Sequence, residues 1–353
     1  MPEAGKRILY CVLNWGLGHA TRSIPVIEEL LRNGAQVTLA SDGLALKYLQ
    51  ERFPGLTIHI LPAYNPVYPQ GDAMVWKMGS QLPKFIKTIF KEQSEVEKIV
   101  ANERIDVVIS DNRYGCYSSK AKSVFITHQC YLIMPDSFKW MEPIVNRFNV
   151  RQLKRFSEIW IPAIQNTFTG KLCELSEEIP HRYIGFLSQL DEMKLPLKYK
   201  VCVLCSGPEP QRSIFEKMMG KQISDMGESA IMIRGTDAKR ENDFGNAAVR
   251  DICHAGELNK IIAASEFVVA RSGYSTIMDL VKLKKKAVFV PTPGQTEQEY
   301  LAGVLHEKRI AFCDSQFNFK LQDALKKSAA YTGFKNLAWN SVLLKQAVES
   351  VLC

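Results

Sequence analysis

The stretch ARSGYSTIMDLVKLKKKAVFVPTPGQTEQEYLA, residues 270–302, decides the predicted fold. Apolar residues at 267–270 predict the end of a buried strand, Gly273 lies in a small turn, and a helix is expected from about Tyr274. A second buried strand follows at 287–290, and a loop rich in proline and glycine leads to another helix. This alternation of strands and helices predicts an α/β protein with a parallel sheet.

The same stretch predicts a nucleotide-sugar site. Gly273 allows a ligand to approach the backbone closely. Ser275 and Thr276 come at the helix N-terminus, where N–H groups and the positive dipole end favour phosphate. Asp279 lies one turn after Ser275 on the same helix face, where it is placed to accept hydrogen bonds from ribose hydroxyls. Gln298 and the residue after it offer polar groups to another part of the ligand.

The order of these residues resembles the donor domain of family 28 glycosyltransferases, the MurG-like type. The matching residues are Arg271, Ser272, Gly273, Thr276, Asp279, Pro291, Gln298 and Glu299. The resemblance implies a GT-B fold, in which two Rossmann-like doubly wound βα domains face each other across a cleft. It also implies that Asp279 binds ribose and that Gln298 contacts the sugar. Glu299 departs from the family pattern, which has a second Gln there.

The length of 353 residues suits two domains. We expect an N-terminal acceptor-side domain at 1–185 and a C-terminal nucleotide-sugar-binding domain at 197–333. The last segment, 334–353, is predicted to be a terminal helix that packs back on the first domain, as the resemblance implies. Prolines and scattered charges make 174–200 the expected interdomain linker.

The N-terminus predicts the first βαβ unit of a doubly wound sheet. An apolar strand at 7–13 leads into a turn with Gly16 and Gly18, which are candidate contacts to the nucleotide sugar. A helix is expected from 21–23, with Pro25 in its first turn, where its missing N–H costs little. Ligands of such sheets bind at the carboxyl ends of the strands.

Three polar residues are expected at this edge: His19, Asp111 and His128. The pair Gly18-His19 resembles the acceptor-side loop of family 28 and family 1 glycosyltransferases, which implies that His19 is the general base. Asp111 is expected to hold the His19 imidazole in one tautomer, or else only to cap its loop. His128 is either a hydrogen-bonded residue of the edge or a catalytic one.

The loop after the strand at 201–204 takes the place of the family's second glycine-rich loop, so Ser206 and Gly207 are candidate phosphate contacts. Two prolines remove N–H donors there, and Glu209 adds a negative charge where a diphosphate would lie. Either Arg212 and the later helix compensate, or this loop does not touch phosphate.

Further candidate donor contacts are Arg234, His254 and Ala255. Arg234 ends a predicted strand, and the other two precede a predicted helix. In the resembled family the backbone of the corresponding loop binds the base, which implies His254 and Ala255. His254 is alternatively an ordinary loop histidine.

The implied reaction is transfer of a sugar of the hexosyl type from a nucleotide-sugar substrate, uridine-linked by the resemblance, with inversion. We expect no cofactor and no metal, because no D-x-D pair occurs and its nearest relative is at 241–243. The N-terminus of the helix after Gly273, with Arg271, is expected to stabilise the departing diphosphate. Two alternatives stay open: an epimerase or hydrolase of the same fold, and a non-catalytic nucleotide-sugar-binding protein.

Composition favours a globular cytoplasmic protein. Hydrophobic residues make up 46% and charged residues 23% of the chain, and no apolar run is long enough to span a membrane. The N-terminus is unlike a signal peptide. The nine cysteines suit reduced thiols, and Cys202 and Cys205 are expected to be buried in a strand rather than to bind metal. The net charge of +8 fits anionic small molecules or a membrane surface, and no nucleic-acid motif accompanies it.

One segment bears on the acceptor, whose identity the sequence leaves open. Residues 82–90 place apolar residues at helical spacing with lysines between them. This pattern is typical of an amphipathic helix packed on its own domain. The alternative is a surface that meets lipid headgroups, at the inner face of the membrane, or a lipid-linked acceptor.

Overall fold

The computed structural model describes residues 5–67, 77, 79–239, 244–245 and 247–353, so the D-x-D relative at 241–243 lies outside the described residues. The chain divides into two compact units. The first unit extends to Leu187 and also includes Asn340–Cys353. The second unit contains Ser188–Trp339.

The first unit is built on a seven-stranded sheet with the order β3-β2-β1-β4-β5-β6-β7. Its strands are β1 (Arg7–Val12), β2 (Gln36–Ser41), β3 (Thr57–Ile60), β4 (Val107–Asp111), β5 (Lys122–Ile126), β6 (Glu158–Ile161) and β7 (His181–Tyr183). All neighbouring strands run parallel. The central strands are apolar along their length because both faces of a parallel sheet are covered by helices.

The second unit repeats this plan with six strands in the order β10-β9-β8-β11-β12-β13. The strands are β8 (Tyr199–Leu204), β9 (Ala230–Ile233), β10 (Ala248–Arg250), β11 (Ser265–Ala270), β12 (Lys286–Phe289) and β13 (Phe312–Cys313). They too are parallel throughout. The predicted α/β class, with two Rossmann-like sheets, is confirmed.

Helices cover the sheets in both units. They are α1 (Gly18–Arg32), α2 (Gly43–Arg52), α3 (Leu82–Glu103), α4 (Glu142–Leu153), α5 (Gln211–Ser224), α6 (Ala255–Ala263), α7 (Tyr274–Lys282), α8 (Thr296–Glu307), α9 (Leu321–Ser328) and α10 (Val342–Leu352). In each unit the order of strands reverses once, between β1 and β4 in the first unit and between β8 and β11 in the second. Ligands of doubly wound sheets bind at the carboxyl ends of the strands beside this reversal.

The structure corrects three local expectations. Helix α1 begins at Gly18 and not at 21–23, because the hydroxyls of Thr21 and Ser23 bond back to the carbonyls one turn earlier and so belong to the helix interior. Pro25 is therefore inside the helix and not in its first turn. The segment expected to be a linker, 174–200, contains β7, which pairs with β6.

Candidate active site and donor site

The loop after β1 brings His19 to the carboxyl edge of the first sheet. Gly16 has a φ of 79°, a backbone conformation that residues with a Cβ atom rarely adopt. The chain then turns into α1 at Gly18, so His19 is the second residue of that helix. Because β4 ends at Asp111, next to β1, the two predicted catalytic residues arrive on either side of the strand reversal.

The structure brings His19 and Asp111 together. The Nδ1 atom of His19 lies 2.7 Å from Oδ1 of Asp111, whose side chain is fully buried. A carboxylate can only accept, so the proton of a neutral His19 ring sits on Nδ1. This leaves the lone pair on Nε2, which is the atom that a general base would use.

Arg22 is a member of this site that the sequence reasoning missed. It lies one turn after His19 and is only 2% exposed. Its Nε donates to Oδ2 of Asp111 at 2.8 Å, and its second terminal nitrogen donates to Oδ1 at 2.5 Å. A signal was present in the sequence, since residues three apart on a helix share a face.

Arg22 sets the protonation of its neighbours. Burial raises the pKa of the Asp111 carboxyl, but the charge of Arg22, followed by His19, outweighs burial and leaves that pKa well below its ordinary value. Burial also lowers the pKa of His19, and the charge of Arg22 lowers it further against the opposing effect of Asp111. The imidazole is therefore neutral over a wider pH range than an ordinary histidine.

His128 belongs to the same cluster. It follows β5 and is 6% exposed, and its Nδ1 lies 2.8 Å from the remaining terminal nitrogen of Arg22. The structure therefore joins all three polar residues expected at this edge, and Arg22 is the residue that links them.

In the second unit the predicted phosphate site lies at the start of α7. The helix begins at Tyr274, directly after Gly273, as the sequence predicts. Ser275, Thr276 and Asp279 are half-buried along its first turns. Asp279 accepts a hydrogen bond from the hydroxyl of Ser188 at 2.5 Å. Burial raises the pKa of Asp279 to about 7, and the bond from Ser188 opposes this only in part.

Arg271, which was expected to stabilise the diphosphate, makes its contacts within the second unit. Its side chain is 1% exposed and lies over the ring of Phe215, 4.4 Å from the ring centroid. One terminal nitrogen donates to the carbonyls of Val290 and Pro291, and the other to the carbonyl of Gln211 and to Gln316. Burial lowers its pKa to about 10. The guanidinium thus joins the loop after β12, the start of α5 and the loop after β13.

The polar residues around α8 also serve the loop that precedes it. The Ser272 hydroxyl is fully buried and donates to the carbonyl of Gln298. The side chain of Gln298 accepts from the Thr292 N–H at 2.9 Å, and the carboxylate of Glu299 accepts from the Gly294 N–H at 2.9 Å. The side chains of Ser272, Gln298 and Glu299 therefore bind backbone groups of the unit, and the expected contacts of Gln298 and Glu299 with the ligand stay predictions.

In the loop after β8, Glu209 makes the contacts that bear on the expected phosphate site. Ser206 and Gly207 are exposed there. The carboxylate of Glu209 accepts from Nε of Arg212 at 2.6 Å and from the Ser213 N–H at 3.2 Å. Burial alone would raise the pKa of Glu209, but the hydrogen bonds of Ser213 and Arg212 lower it. A carboxylate of the chain itself therefore occupies the N-terminus of α5.

Arg234 is likewise internal. It is 2% exposed, and its guanidinium donates to Glu216 at 2.7 Å and to Asp251 at 2.8 Å. This ion-pair network engages the guanidinium within the second unit, and the donor contact expected of Arg234 stays a prediction. His254 and Ala255 lie at the start of α6, where the His254 side chain is exposed.

Neither the cysteines nor the other candidate ligands form a metal site in the described residues. Cys202 and Cys205 are buried free thiols, and burial raises the pKa of Cys205 to about 12. Among the residues that the structure describes, no group of three or more His, Cys, Asp or Glu side chains could hold a metal ion.

The exposed surface of the first unit carries two apolar stripes at helical spacing. The α3 stripe consists of Leu82, Ile86 and Phe90. The α4 stripe consists of Ile144 and Phe148 on α4 and of Trp140 in the 3₁₀ turn directly before it. These side chains are 44% to 70% exposed. The sequence pattern indicated the first stripe, although Phe85 is buried in the unit, and missed the second. No helix in the described part of the chain combines the length and apolarity needed to cross a bilayer.

Comparison with known proteins agrees with this architecture. The family model described as "Glycosyltransferase family 28 C-terminal domain" matches residues 230–332. The model described as "Glycosyl transferase family 1" matches residues 6–128. The first match contains α7 and α8, and the second contains His19, Arg22 and Asp111.

Three known proteins illustrate the similarity. An uncharacterized glycosyltransferase of Methanosarcina mazei is 23% identical over 325 residues, which cover 86% of this chain and 84% of the relative. The UDP-N-acetylglucosamine--N-acetylmuramyl-(pentapeptide) pyrophosphoryl-undecaprenol N-acetylglucosamine transferase of Rickettsia akari is 20% identical over an alignment of 379 positions, which covers 95% of this chain and 96% of the relative. The crystal structure of Acinetobacter baumannii MurG aligns with a TM-score of 0.60 and 12% identity over 98% of this chain and 99% of that chain.

The two parallel sheets and the family matches together define a glycosyltransferase with the GT-B fold. Within that class the chain is similar to the family 28, MurG-like type, whose C-terminal domain model matches residues 230–332.

Proposed function

We propose that this glycosyltransferase moves a hexosyl group from a UDP-linked sugar to a hydroxyl of a lipid-linked acceptor, with inversion and without a metal. The observation that carries the proposal is the contact between Nδ1 of His19 and Oδ1 of Asp111, which leaves Nε2 as the basic atom. The printed name of the Rickettsia akari relative, with its UDP-linked donor and undecaprenol-linked acceptor, supports the substrate class.

In the proposed reaction His19 Nε2 takes the proton of the acceptor hydroxyl while its oxygen attacks the anomeric carbon. The bond from that carbon to the diphosphate oxygen breaks on the opposite side, so the anomeric configuration inverts. A neutral imidazole is required, and the environment of His19 favours it. Asp111 fixes the ring so that the base atom is the outer nitrogen.

The departing diphosphate gains negative charge, which the N-terminus of α7 is suited to stabilise through oriented N–H groups and the helix dipole. The proposal that no metal is needed rests on this helix end and on the lack of a D-x-D pair in the sequence. Asp279 is proposed to bind the ribose hydroxyls. Asp279→Ala should then weaken binding of UDP by about 1–3 kcal/mol in calorimetry, the cost of unpaired buried hydroxyls.

We also propose peripheral contact with a membrane, which the two apolar stripes support. Lys87 and Lys91 line the groove beside Ile86 and Phe90 on α3. Arg147 and Arg151 are exposed on α4. Apolar side chains flanked by cations bind anionic bilayers.

The two helices also flank one loop of the first unit. Glu92 of α3 accepts from the Gly115 N–H, and Asn149 of α4 accepts from the Tyr114 hydroxyl. We propose that both stripes contact the bilayer that holds the acceptor.

Transfer itself is tested with UDP-sugars labelled in the sugar and a detergent extract of polyprenyl-linked glycans as acceptors. His19→Ala should lower the turnover number by about 10²–10⁴ while UDP affinity stays unchanged, since the base acts on the acceptor. His181→Ala, at a first-unit histidine outside the site, is the matched control. Addition of EDTA should leave the wild-type rate unchanged. Full transfer by His19→Ala would exclude its role as base.

Membrane contact is tested by sedimentation with phosphatidylglycerol vesicles. Phe90→Ser and Phe148→Ser should each reduce the bound fraction, and binding should weaken as salt is raised. Leu44→Ser on α2 is the control, because Leu44 is an exposed apolar residue, with 69% of its surface accessible, that belongs to neither stripe. Equal binding by all three variants would contradict the proposed surface.

A further inference from the structure

Arg22 occupies the centre of the first-unit site without lying where a substrate would meet it. Its side chain is 2% exposed, whereas that of His19 is 14% exposed. Three of its nitrogens point at other side chains of the site: two at the carboxylate of Asp111 and one at Nδ1 of His128. A residue with these contacts acts on a reaction only through the groups that it holds.

The charges around His19 show what Arg22 changes. Asp111 reaches the ring from β4, Arg22 from the same helix, and His128 from the loop after β5. The phenol of Tyr10, on β1, is buried beside Asp111. A histidine that faces a lone carboxylate gains affinity for a second proton, because the imidazolium and the carboxylate attract each other. Here the bidentate pair of Arg22 with Asp111 already balances the carboxylate charge.

We infer that Arg22 is a positioning residue that keeps His19 neutral and ready to accept a proton, while it leaves Asp111 able to orient the ring. The inference rests on the proposed role of His19 as the base. Arg22 would thereby separate two effects that Asp111 has on His19: the hydrogen bond that orients the ring, and the negative charge that favours a second proton on it. The carboxylate still receives the Nδ1 proton of His19, but Arg22 neutralises its electrostatic pull on a second proton.

The same guanidinium fixes the tautomer of His128. An arginine can only donate, so Nδ1 of His128 is the acceptor of the 2.8 Å contact. The ring proton of His128 is therefore on Nε2. His19 and His128 thus have opposite tautomers, with the proton on Nδ1 in the first and on Nε2 in the second.

The experiment is a pH titration of the imidazole resonances of the full chain by NMR, with His19 and His128 assigned from His19→Asn and His128→Asn. It requires no acceptor and no turnover. In the wild type His19 should titrate below the ordinary histidine value of about 6.5. In Arg22→Gln its pKa should rise by about 1–2, because an uncompensated carboxylate now faces the ring. Arg22→Lys retains the positive charge and should keep the low value.

The double variant Arg22→Gln/Asp111→Asn removes both charges and should return His19 to a low pKa, since burial alone then acts on the ring. This variant also covers the case in which Arg22→Gln fails to fold, because its buried amides can pair with each other. Nitrogen shifts should place the wild-type His128 proton on Nε2, and Arg22→Gln should abolish that preference.

Two outcomes would overturn the inference. One is a wild-type His19 that titrates above the ordinary value, and the other is the same His19 pKa in the wild type and in folded Arg22→Gln. Failure of the proposed function gives a different result: the titration pattern holds, but His19→Ala still transfers sugar at the full rate. The role of Arg22 and the role of His19 as base are therefore tested separately.

Discussion

The two units share one strand order and place polar residues at the same edge of the sheet, but they use their arginines differently. In the first unit Arg22 joins the predicted catalytic residues, His19 and Asp111, into one cluster. In the second unit Arg271 and Arg234 are buried and bind other parts of the unit. Their partners are backbone carbonyls, amides and carboxylates of the unit itself.

The difference shows that a position near the carboxyl edge of a sheet does not determine what a long side chain contacts. A guanidinium has five donors and reaches far, so it is as well suited to fastening neighbouring loops as to binding a phosphate. In the second unit the predicted ligand contacts that are not engaged in this way are the short residues and the backbone at the start of α7. In the first unit the arginine supports a histidine that remains accessible.

Of the substitutions that test this difference between the units, Asp111→Asn should have the largest effect on stability, because it leaves the buried charge of Arg22 without its carboxylate partner. We expect a loss of about 3–5 kcal/mol in the free energy of unfolding, measured in urea, together with lower transfer activity. Asp106→Asn is the control, since Asp106 is exposed just before the same strand. A stable Asp111→Asn protein would show that the first-unit cluster is not held by this ion pair.

Arg271→Met should be next in size. Methionine keeps an apolar stem over Phe215 but removes the hydrogen bonds to the carbonyls of three loops, so we expect a loss of about 2–3 kcal/mol in stability. Affinity for UDP, measured in the folded variant by calorimetry, should change little. A normal free energy of unfolding combined with lost UDP affinity would restore Arg271 as a phosphate contact.

Asp279→Asn should alter the pH dependence of stability. Burial in the folded state raises the pKa of Asp279 to about 7, whereas the same carboxyl in the unfolded chain loses its proton near pH 4. The contribution of Asp279 to the free energy of unfolding therefore falls as the pH rises from about 4 to 7. Because the residue is only half-buried, we expect the wild type to lose about 1–2 kcal/mol relative to Asp279→Asn between pH 5 and pH 8. Parallel stability curves for the two proteins would contradict this.

Glu209→Gln should have the smallest effect. It removes the negative charge at the N-terminus of α5, where Glu209 accepts from the Ser213 N–H. A helix N-terminus is worth about 0.3–1 kcal/mol to an anion, so stability should fall by that amount. UDP affinity should rise or stay unchanged. A loss of affinity would mean that Glu209 contributes to donor binding instead of filling, at the N-terminus of α5, the position of a phosphate group.

Much of the fold could be predicted from local sequence. The strands are read correctly because a strand buried on both faces is apolar throughout, and the start of α7 follows from Ser272-Gly273. The start of α1 was placed too late, since Thr21 and Ser23 resemble helix caps and only the backbone path shows that their hydroxyls bond within the helix.

The sequence by itself determined the α/β class, the strand ends at which polar residues gather, and the pair of His19 with Asp111. These follow from periodicity and from the parallel order of strands, which are local or topological properties. The tertiary structure alone decided the directions of the arginines. Arg22 points at Asp111 because β4 lies beside β1, and Arg271 points at carbonyls of loops that are distant in sequence. The direction of a long charged side chain depends on partners that only the folded chain brings within reach.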